Sequence, residues 1–367
     1  MAVSRINEAG LNVNQFGNRN LLINGAMQVA QRSTAAHNEG TGYFALDRWR
    51  QEKANQDQFT YSVEQVSDGP SGFSKCLRVT TSTAETALAS DEFGRIQQII
   101  EGNNLERIGF GTTDAKPFTL SFYVKSSVTG NYAVSFYIAD ADVIYNKAYT
   151  INTANTWEYK TLTFPAYTTA GPNIDNTAGL TLNFGLFAGS DKTTVTTDWT
   201  SYTQAYLFGG QTANLAATLN SSWRITGCQL EVGDTATDFE HRNFADQLQA
   251  CQRYCQRHPS QDQADGGNYS ILGAAGWASS TTNANVPMQL PTTMRLEPTA
   301  TFSGNWRILH TNTASTVSSG PTINDSYCSV SAVYMQATCS ASLTAGQGAA
   351  INANNDTDAH VILDAEL

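Results

Sequence analysis

Five histidines, His37, His241, His258, His310 and His360, are the side chains best placed to move protons near neutral pH. They are scattered singly, with none of the two-histidine spacings that hold a hydrolytic metal, and no glycine-rich phosphate loop or dinucleotide fingerprint follows a strand. The acid pairs Asp91 with Glu92 and Asp140 with Asp142 are of the type a glycosidase sets on either side of a glycosidic bond. Adjacent or alternating acids in loops are more often simply solvated. The acidic loop at residues 354–360, NNDTDAH, offers oxygen ligands of the kind calcium takes, without the full spacing of an EF-hand. The expectation is a chain with no catalytic residue, no cofactor site and no metal ligand, that is, not an enzyme. His241 is expected to make a structural hydrogen bond.

The six cysteines are 76, 228, 251, 255, 328 and 339. Cys251 and Cys255 stand one helical turn apart and lack the second ligand pair of a structural zinc site. The reading is of thiols, with Cys328 and Cys339, on either side of a short strand pair, as the one pair placed for a disulfide. Recognition chemistry is more visible than catalysis. Trp277, Trp306, Tyr327 and Tyr334 are candidate glycan contacts, because sugar faces stack on rings while polar neighbours read hydroxyls. The same residues also suit a β-sheet core, and periodicity alone does not separate the two faces.

Whatever positions these groups is built mainly of strands. The chain has 367 residues, 41% hydrophobic and 14% charged, enough for two globular domains. Its 21 basic and 32 acidic side chains leave a net charge of −11, which disfavours nucleic acid and anionic membranes as partners. The N-terminus shows no secretory signal and no stretch reaches the length of an apolar membrane span, so a soluble protein without its own export signal is expected. Residues 1–19 read as an arm suited to ordering against a partner.

From Phe59 onward apolar residues alternate: Phe59, Tyr61, Val63; Leu77, Val79; Phe118, Leu120, Phe122, Val124; Tyr132, Val134, Phe136, Ile138; Leu180, Leu182, Phe184, Leu186. The two middle runs, joined through SVTGN with Gly130 available for positive φ, are expected to pair as a hairpin. Trp157 and Tyr159 lie on one parity and Leu162 and Phe164 on the other, which implies a bulge or a strand covered on both faces. A parity change at Gly227, between Ile225 and Cys228, implies a bulge there. This pattern predicts an all-β protein: a jelly-roll sandwich over 20–240, a junction helix over 241–258, and a smaller β-sandwich over 259–367. In the last part, strands are expected from Ile271 and over 286–290, 299–302, 306–309, 327–335 and 361–363. Pro287, Pro291 and Pro298 place their strands at edges or element starts.

The helix rests on Phe244, Leu248, Cys251 and Cys255, which fall at steps of four, three and four. Asn243 caps it, Asp246 takes the capping-box position and Pro259 ends it. A helix over 244–257 is marginal alone, so its seam must pack, either on the preceding domain or against other copies at a symmetry axis.

Several stretches carry a resemblance. QLEVG (229–233), FEHR (239–242) and CQRY (251–254) resemble the junction of bacteriophage tail-fibre and tail-associated virion proteins. NLLINGAMQVAQR (20–32) and YFALDRWR (43–50) are similar to the opening of that family, and LPTTMRLEPTAT (290–301) with the closing DAEL resembles its C-terminal element. QQIIEGNNLERIG (97–109) followed by FTLSFYVKSSVTGNYAVSFYI (118–138) is similar to carbohydrate-binding-module-like jelly rolls. In YFALDRWR, Asp47 is expected to pair with a neighbouring Arg while Trp49 anchors the core. The resemblance implies a fold more firmly than sugar binding. It implies a homotrimeric virion protein, a tail fibre or adhesin meeting a host-surface glycan, with the arm reaching another virion protein. A capsid decoration protein or head fibre, and the binding module of a depolymerase, stand as alternatives.

Overall fold

The computed structural model describes residues 17–37, 40–54, 59–259, 269–310, 313–340 and 343–367; most of the proposed arm lies outside them. The fold is all-β, in two compact units, residues 1–247 and 248–367. Among the described residues no helix is long and apolar enough to cross a membrane.

The first unit is built from β1 (Arg50–Ala54), β2 (Thr60–Val66), β3 (Cys76–Thr83), β4 (Phe93–Glu101), β5 (Phe118–Ser126), β6 (Gly130–Ile138), β7 (Val143–Ile151), β8 (Glu158–Phe164), β9 (Ala178–Ala188), β10 (Thr200–Ser201) and β11 (Ser222–Val232). They form a six-stranded sheet, β1-β4-β9-β6-β7-β10, and a five-stranded sheet, β2-β3-β11-β5-β8. The sheets share one core. Phe122 of β5 meets Phe184 of β9 with ring centres 5.1 Å apart, and Trp223 Nε1 of β11 donates to the Tyr149 hydroxyl of β7 at 3.2 Å.

The expected hairpin between β5 and β6 does not exist. β5 pairs with β11 and β8, and β6 with β7 and β9, so residues 127–129 arch from one sheet to the other. Both strands aim their alternating residues at the same core, and Phe118 meets Phe136 edge-on at 5.1 Å across the layers. Alternation is identical for a hairpin and an arch; the two-faced burial of the core decides for the arch. Gly130 does take a positive φ, +121°. The expected bulge in β11 is present, between Thr226 and Gln229. β8 pairs with β5 without a register shift, so its two parities are its two faces.

The motifs near the start interlock. The Asn24 side chain donates to the Val29 and Asp47 carbonyls at 2.8 and 3.0 Å, and Trp49 Nε1 donates to the Asn24 carbonyl at 3.1 Å. Asp47, fully buried, accepts from the backbone and side-chain amides of Gln31, and Trp49 is buried in the core. Asn20 Nδ2 donates to the Cys228 carbonyl at 3.0 Å, and Asn20 Oδ1 accepts from Leu230 N at 3.0 Å. Asn20 N in turn donates to Glu240 at 2.9 Å, which ties residues 229–242 to the first described segment.

The junction helix is shorter than expected. Helix α1 covers Phe244–Gln252, and Cys255 belongs to a strand, β12 (Cys255–His258), paired with β20 (His360–Asp364). Nine residues make a weak helix, and the ladder with β20 gives residues 255–258 the hydrogen bonds a further turn would have supplied. Phe244 is 49% exposed, Leu248 is half-buried, and Cys251 and Cys255 are fully buried. The four-residue seam is therefore not one surface of one helix.

The second unit contains, besides β12 and β20, the strands β13 (Ile271–Ala278), β14 (Asn283–Gln289), β15 (Thr299–Ser303), β16 (Trp306–His310), β17 (Thr313–Ile323), β18 (Ala332–Cys339) and β19 (Gly348–Ala353). In place of a second sandwich, six of them close a barrel in the order β13-β14-β18-β17-β16-β19, beside a three-stranded sheet β12-β20-β15. Small interior residues permit the closure: Ala278, Ala284, Ala337 and Ala353 share the lumen with Val286, Met335 and Ile351. Pro287 lies past the part of β14 paired with β13, so its missing N–H costs no bond on that side. Arg295 donates to the carbonyls of Ala365 and Glu366 at 2.8 and 2.6 Å, joining the two pieces of the C-terminal motif. All six cysteines are thiols; Cys328 Sγ donates to the Asn324 carbonyl at 3.3 Å and accepts from Tyr334 N.

Candidate functional site

In the five-stranded sheet, Leu120, Phe122 and Val124 of β5 point into the core with no exposure, so Ser121, Tyr123 and Lys125 point outward. Register then sets the outer face. Tyr123 stands opposite Tyr159 of β8 on one side and Thr226 of β11 on the other, and Ser121 opposite Thr161 and Gln229. The rings of Tyr123 and Tyr159 are 5.0 Å apart.

The bulge at Gly227 shapes the floor. Gly227 has φ +62°, and Phe73, from the β2–β3 connection, lies directly on its missing side chain. Phe73 contacts Tyr123 at 5.5 Å, Phe239 at 5.0 Å and His241 at 5.2 Å between ring centres. Phe239 and His241 are carried by the segment after β11, which is held in place by Gln229 and Glu231. Glu240 N donates to Gln229 Oε1 at 2.8 Å, and Thr237 N and Oγ1 donate to the Glu231 carboxylate at 2.8 and 2.7 Å. The result is an open cleft of about 740 Å³ with aromatic walls and a floor of serine, threonine and backbone.

The rim is charged but internally paired. Asp68 accepts from Lys125 at 3.0 Å and lies 3.3 Å from Arg224. Lys125 also sits over the Trp157 ring at 5.7 Å. Burial pushes the Glu240 carboxyl up, but the Asn20 N–H and the Arg242 guanidinium, 3.1 Å away, outweigh it and hold the group below its ordinary range. An acid kept ionised in this way is a fixed acceptor; a glycosidase acid needs the opposite shift. The acid pairs singled out in the sequence lie elsewhere. Asp140 accepts from Asn173 and Asp142 from the Tyr137 hydroxyl at the β6–β7 turn, while buried Glu92 accepts from Ala89 N. In the 354–360 loop, Asp356 accepts from Asn305 and from Asp358 N, and no metal-ligating cluster occurs among the described residues.

Of the aromatic residues expected to contact glycan, three come together. Exposed Trp277 and Tyr327 and half-buried Tyr334 form a group on the barrel, with Tyr334 at 6.0 Å from Trp277 and 5.1 Å from Tyr327. Trp306 is separate, 3% exposed and packed edge-on against Phe302, because its parity on β16 faces the barrel core. The cleft rings Phe73, Tyr123, Tyr159 and Phe239 were not singled out. The signal for Tyr159 was its parity opposite Leu162 and Phe164; Phe73 and Phe239 sit in irregular segments that give none. His241 makes ring contacts with Phe73 and Phe239 in place of the expected hydrogen bond, because its imidazole is packed among rings.

No family model and no curated protein sequence matches the chain. Among solved structures it is similar to the enzymatically active domain of tailspike protein 4 of bacteriophage CBA120, at 13% identity and a TM-score of 0.31. That match covers 58% of this chain and 21% of the other, so this chain spans about a fifth of the tailspike chain. It is similar to a CBM4 chain at 16% identity and a TM-score of 0.31, over 57% of this chain and 97% of the other. It is also similar to the family 11 carbohydrate-binding module of a cellulosomal cellulase of Clostridium thermocellum, at 9% identity and a TM-score of 0.27, over 57% and 99%.

Proposed function

We propose that the chain is a non-catalytic saccharide-binding protein of a bacteriophage virion, a tail fibre or adhesin that meets a host-surface glycan through the cleft on its five-stranded sheet. The observation that carries the binding reading is the set of rings, Phe73 and Tyr123 at Gly227 and Tyr159 beside Tyr123, next to outward hydroxyls. Rings take the apolar face of a pyranose, and hydroxyls and amides read its edge. The virion reading rests on the sequence resemblance, whose motif residues Asn20, Asn24, Glu240 and Arg295 are the ones that interlock within each unit. Repeated weak binding by several copies on a particle, assembled as trimers, would give useful avidity.

Three experiments test this. A glycan array with the wild type and the Tyr123→Ala/Tyr159→Ala variant should show binding that the variant loses; equal binding by both would remove the cleft from the function. Incubation with host capsule or lipopolysaccharide should leave chain lengths unchanged. Antibody-labelled electron microscopy of virions should place the protein on the tail or its fibres. Label over the head would make it a decoration protein, and no label on any particle would end the virion reading.

A further inference from the structure

The barrel has a second built surface, and its register brings together residues that sequence keeps far apart. Trp277 of β13 is paired with Asn285 of β14, Asn285 with Gln336 of β18, and Gln336 with Thr322 of β17. Directly paired residues of antiparallel strands share a face. Ala278, Val286 and Met335, one position along, are buried inside the barrel, so this row is on the outside. A second row, Asn283 with Thr338 and Ser319, runs beside it. Asn285, Gln336 and Thr322 of the first row and the whole of the second line a depression of about 280 Å³, and Trp277 stands one strand beyond Asn285. On its flank, Tyr334, two residues from Gln336 on the same face, meets Trp277 and Tyr327, which are 41% and 69% exposed.

The polar floor is orientated rather than loose. Gln336 Nε2 donates to Asn285 Oδ1 at 3.1 Å, Asn324 Nδ2 donates to Gln336 Oε1 at 3.3 Å, and Thr338 Oγ1 donates to Asn283 Oδ1 at 2.8 Å. Each carboxamide has two donors and two acceptor lone pairs, so these bonds leave capacity of both signs toward the depression. None of the lining side chains is ionisable. The cleft of the first unit differs, since Asp238 and Glu240 line it.

We propose that this depression, with Trp277 and Tyr334 as its stacking wall, is a second saccharide site that takes uncharged sugars. Neutral amides and hydroxyls match sugar hydroxyls, which both donate and accept, and an uncharged floor offers nothing to offset the desolvation of a carboxylate or sulfate. The wall supplies the apolar contact that hydroxyl pairing alone lacks in water. The proposal shares its chemistry with the cleft reading but stands on different residues.

The test is a glycan array of neutral, sialylated, uronate-bearing and sulfated oligosaccharides, read with the full-length chain. The wild type is compared with a cleft variant, Tyr123→Ala/Tyr159→Ala, and with barrel variants Trp277→Ala and Gln336→Leu, each checked for an unchanged melting profile. The cleft variant should keep a set of neutral-glycan signals, and adding either barrel substitution should weaken that set by about tenfold or more. Identical binding by the wild type and both barrel variants would overturn the barrel site and leave the cleft reading standing. Loss confined to anionic glycans would overturn the neutral selectivity. Loss of all binding in the barrel variants, with none in the cleft variant, would support this site and overturn the cleft. An array that the wild type does not bind at all would overturn both.

Discussion

Phe73 lies on Gly227 so closely that a β-carbon at position 227 would stand 2.7 Å from the ring Cζ, and 3.1 Å from Cδ2 of Tyr123. Gly227→Ala therefore meets two costs. The left-handed backbone, φ +62°, costs a non-glycine residue about 1–2 kcal/mol. The Phe73 ring must also lift from the sheet. A lower melting temperature together with glycan affinity weakened by about tenfold is expected, read by thermal melts and titration calorimetry. Unchanged affinity in a destabilised variant would show that Phe73 takes no part in binding.

Two tryptophans on the barrel should respond oppositely. Trp306, 3% exposed, fills the core, and Trp306→Ala should cost about 3–5 kcal/mol. Trp277, 41% exposed, lies outside, and Trp277→Ala should stay within about 0.5 kcal/mol of wild type. Urea unfolding midpoints measure both. A large loss at Trp277 would mean that its role is structural.

Acid should act through Glu158, at the start of β8. Burial pushes its carboxyl up, but the Lys160 ammonium and the N–H groups of Thr153 and Asn152 outweigh this and bring it from 4.5 to about 2. A depressed carboxylate pKa contributes stability that is fully present above the unfolded value and is lost as pH falls through the folded one. The window is thus pH 4.5 down to about 2. Glu158→Gln should flatten the loss of urea stability in that window while wild type shows it. Parallel curves for the two proteins would contradict the assignment.

Association of copies is expected through surface residues of α1. Phe244, 49% exposed, is the member of the expected seam left outside. Native mass spectrometry should find three times 39.6 kDa, and Phe244→Ser should shift the population toward single chains. A single-chain mass for wild type at micromolar concentration would count heavily against the trimer.

What could be read from the residues was whatever one strand determines alone. The buried faces of β5, β6 and β9, and the bulge at Gly227, follow from alternation and its interruption. Pairing partners do not. The run from Phe118 to Val124 looks the same whether its neighbour is Tyr132 in a hairpin or Trp223 in another part of the chain. The strands β17 and β19 were missed because serine, threonine, alanine and glycine dominate them, so no apolar alternation marks them. In the site, Tyr159 was readable from its parity, whereas Phe73 and Phe239 reach the cleft on irregular segments whose course only the folded chain fixes.

The arch at residues 127–129 also bears on how the sandwich comes to exist in time. Phe118 and Phe136 bring the two layers into contact across a short link, so closing that loop costs little chain entropy. Val79 pairs with Trp223 within one sheet only after the ends of a loop 144 residues long (223 − 79) meet. Contacts of low sequence separation form early and those of high separation late. Phe136→Leu should therefore slow refolding in stopped-flow experiments, while Trp223→Phe should chiefly hasten unfolding. The layer that carries the cleft is, on this account, the last part of its unit to be completed.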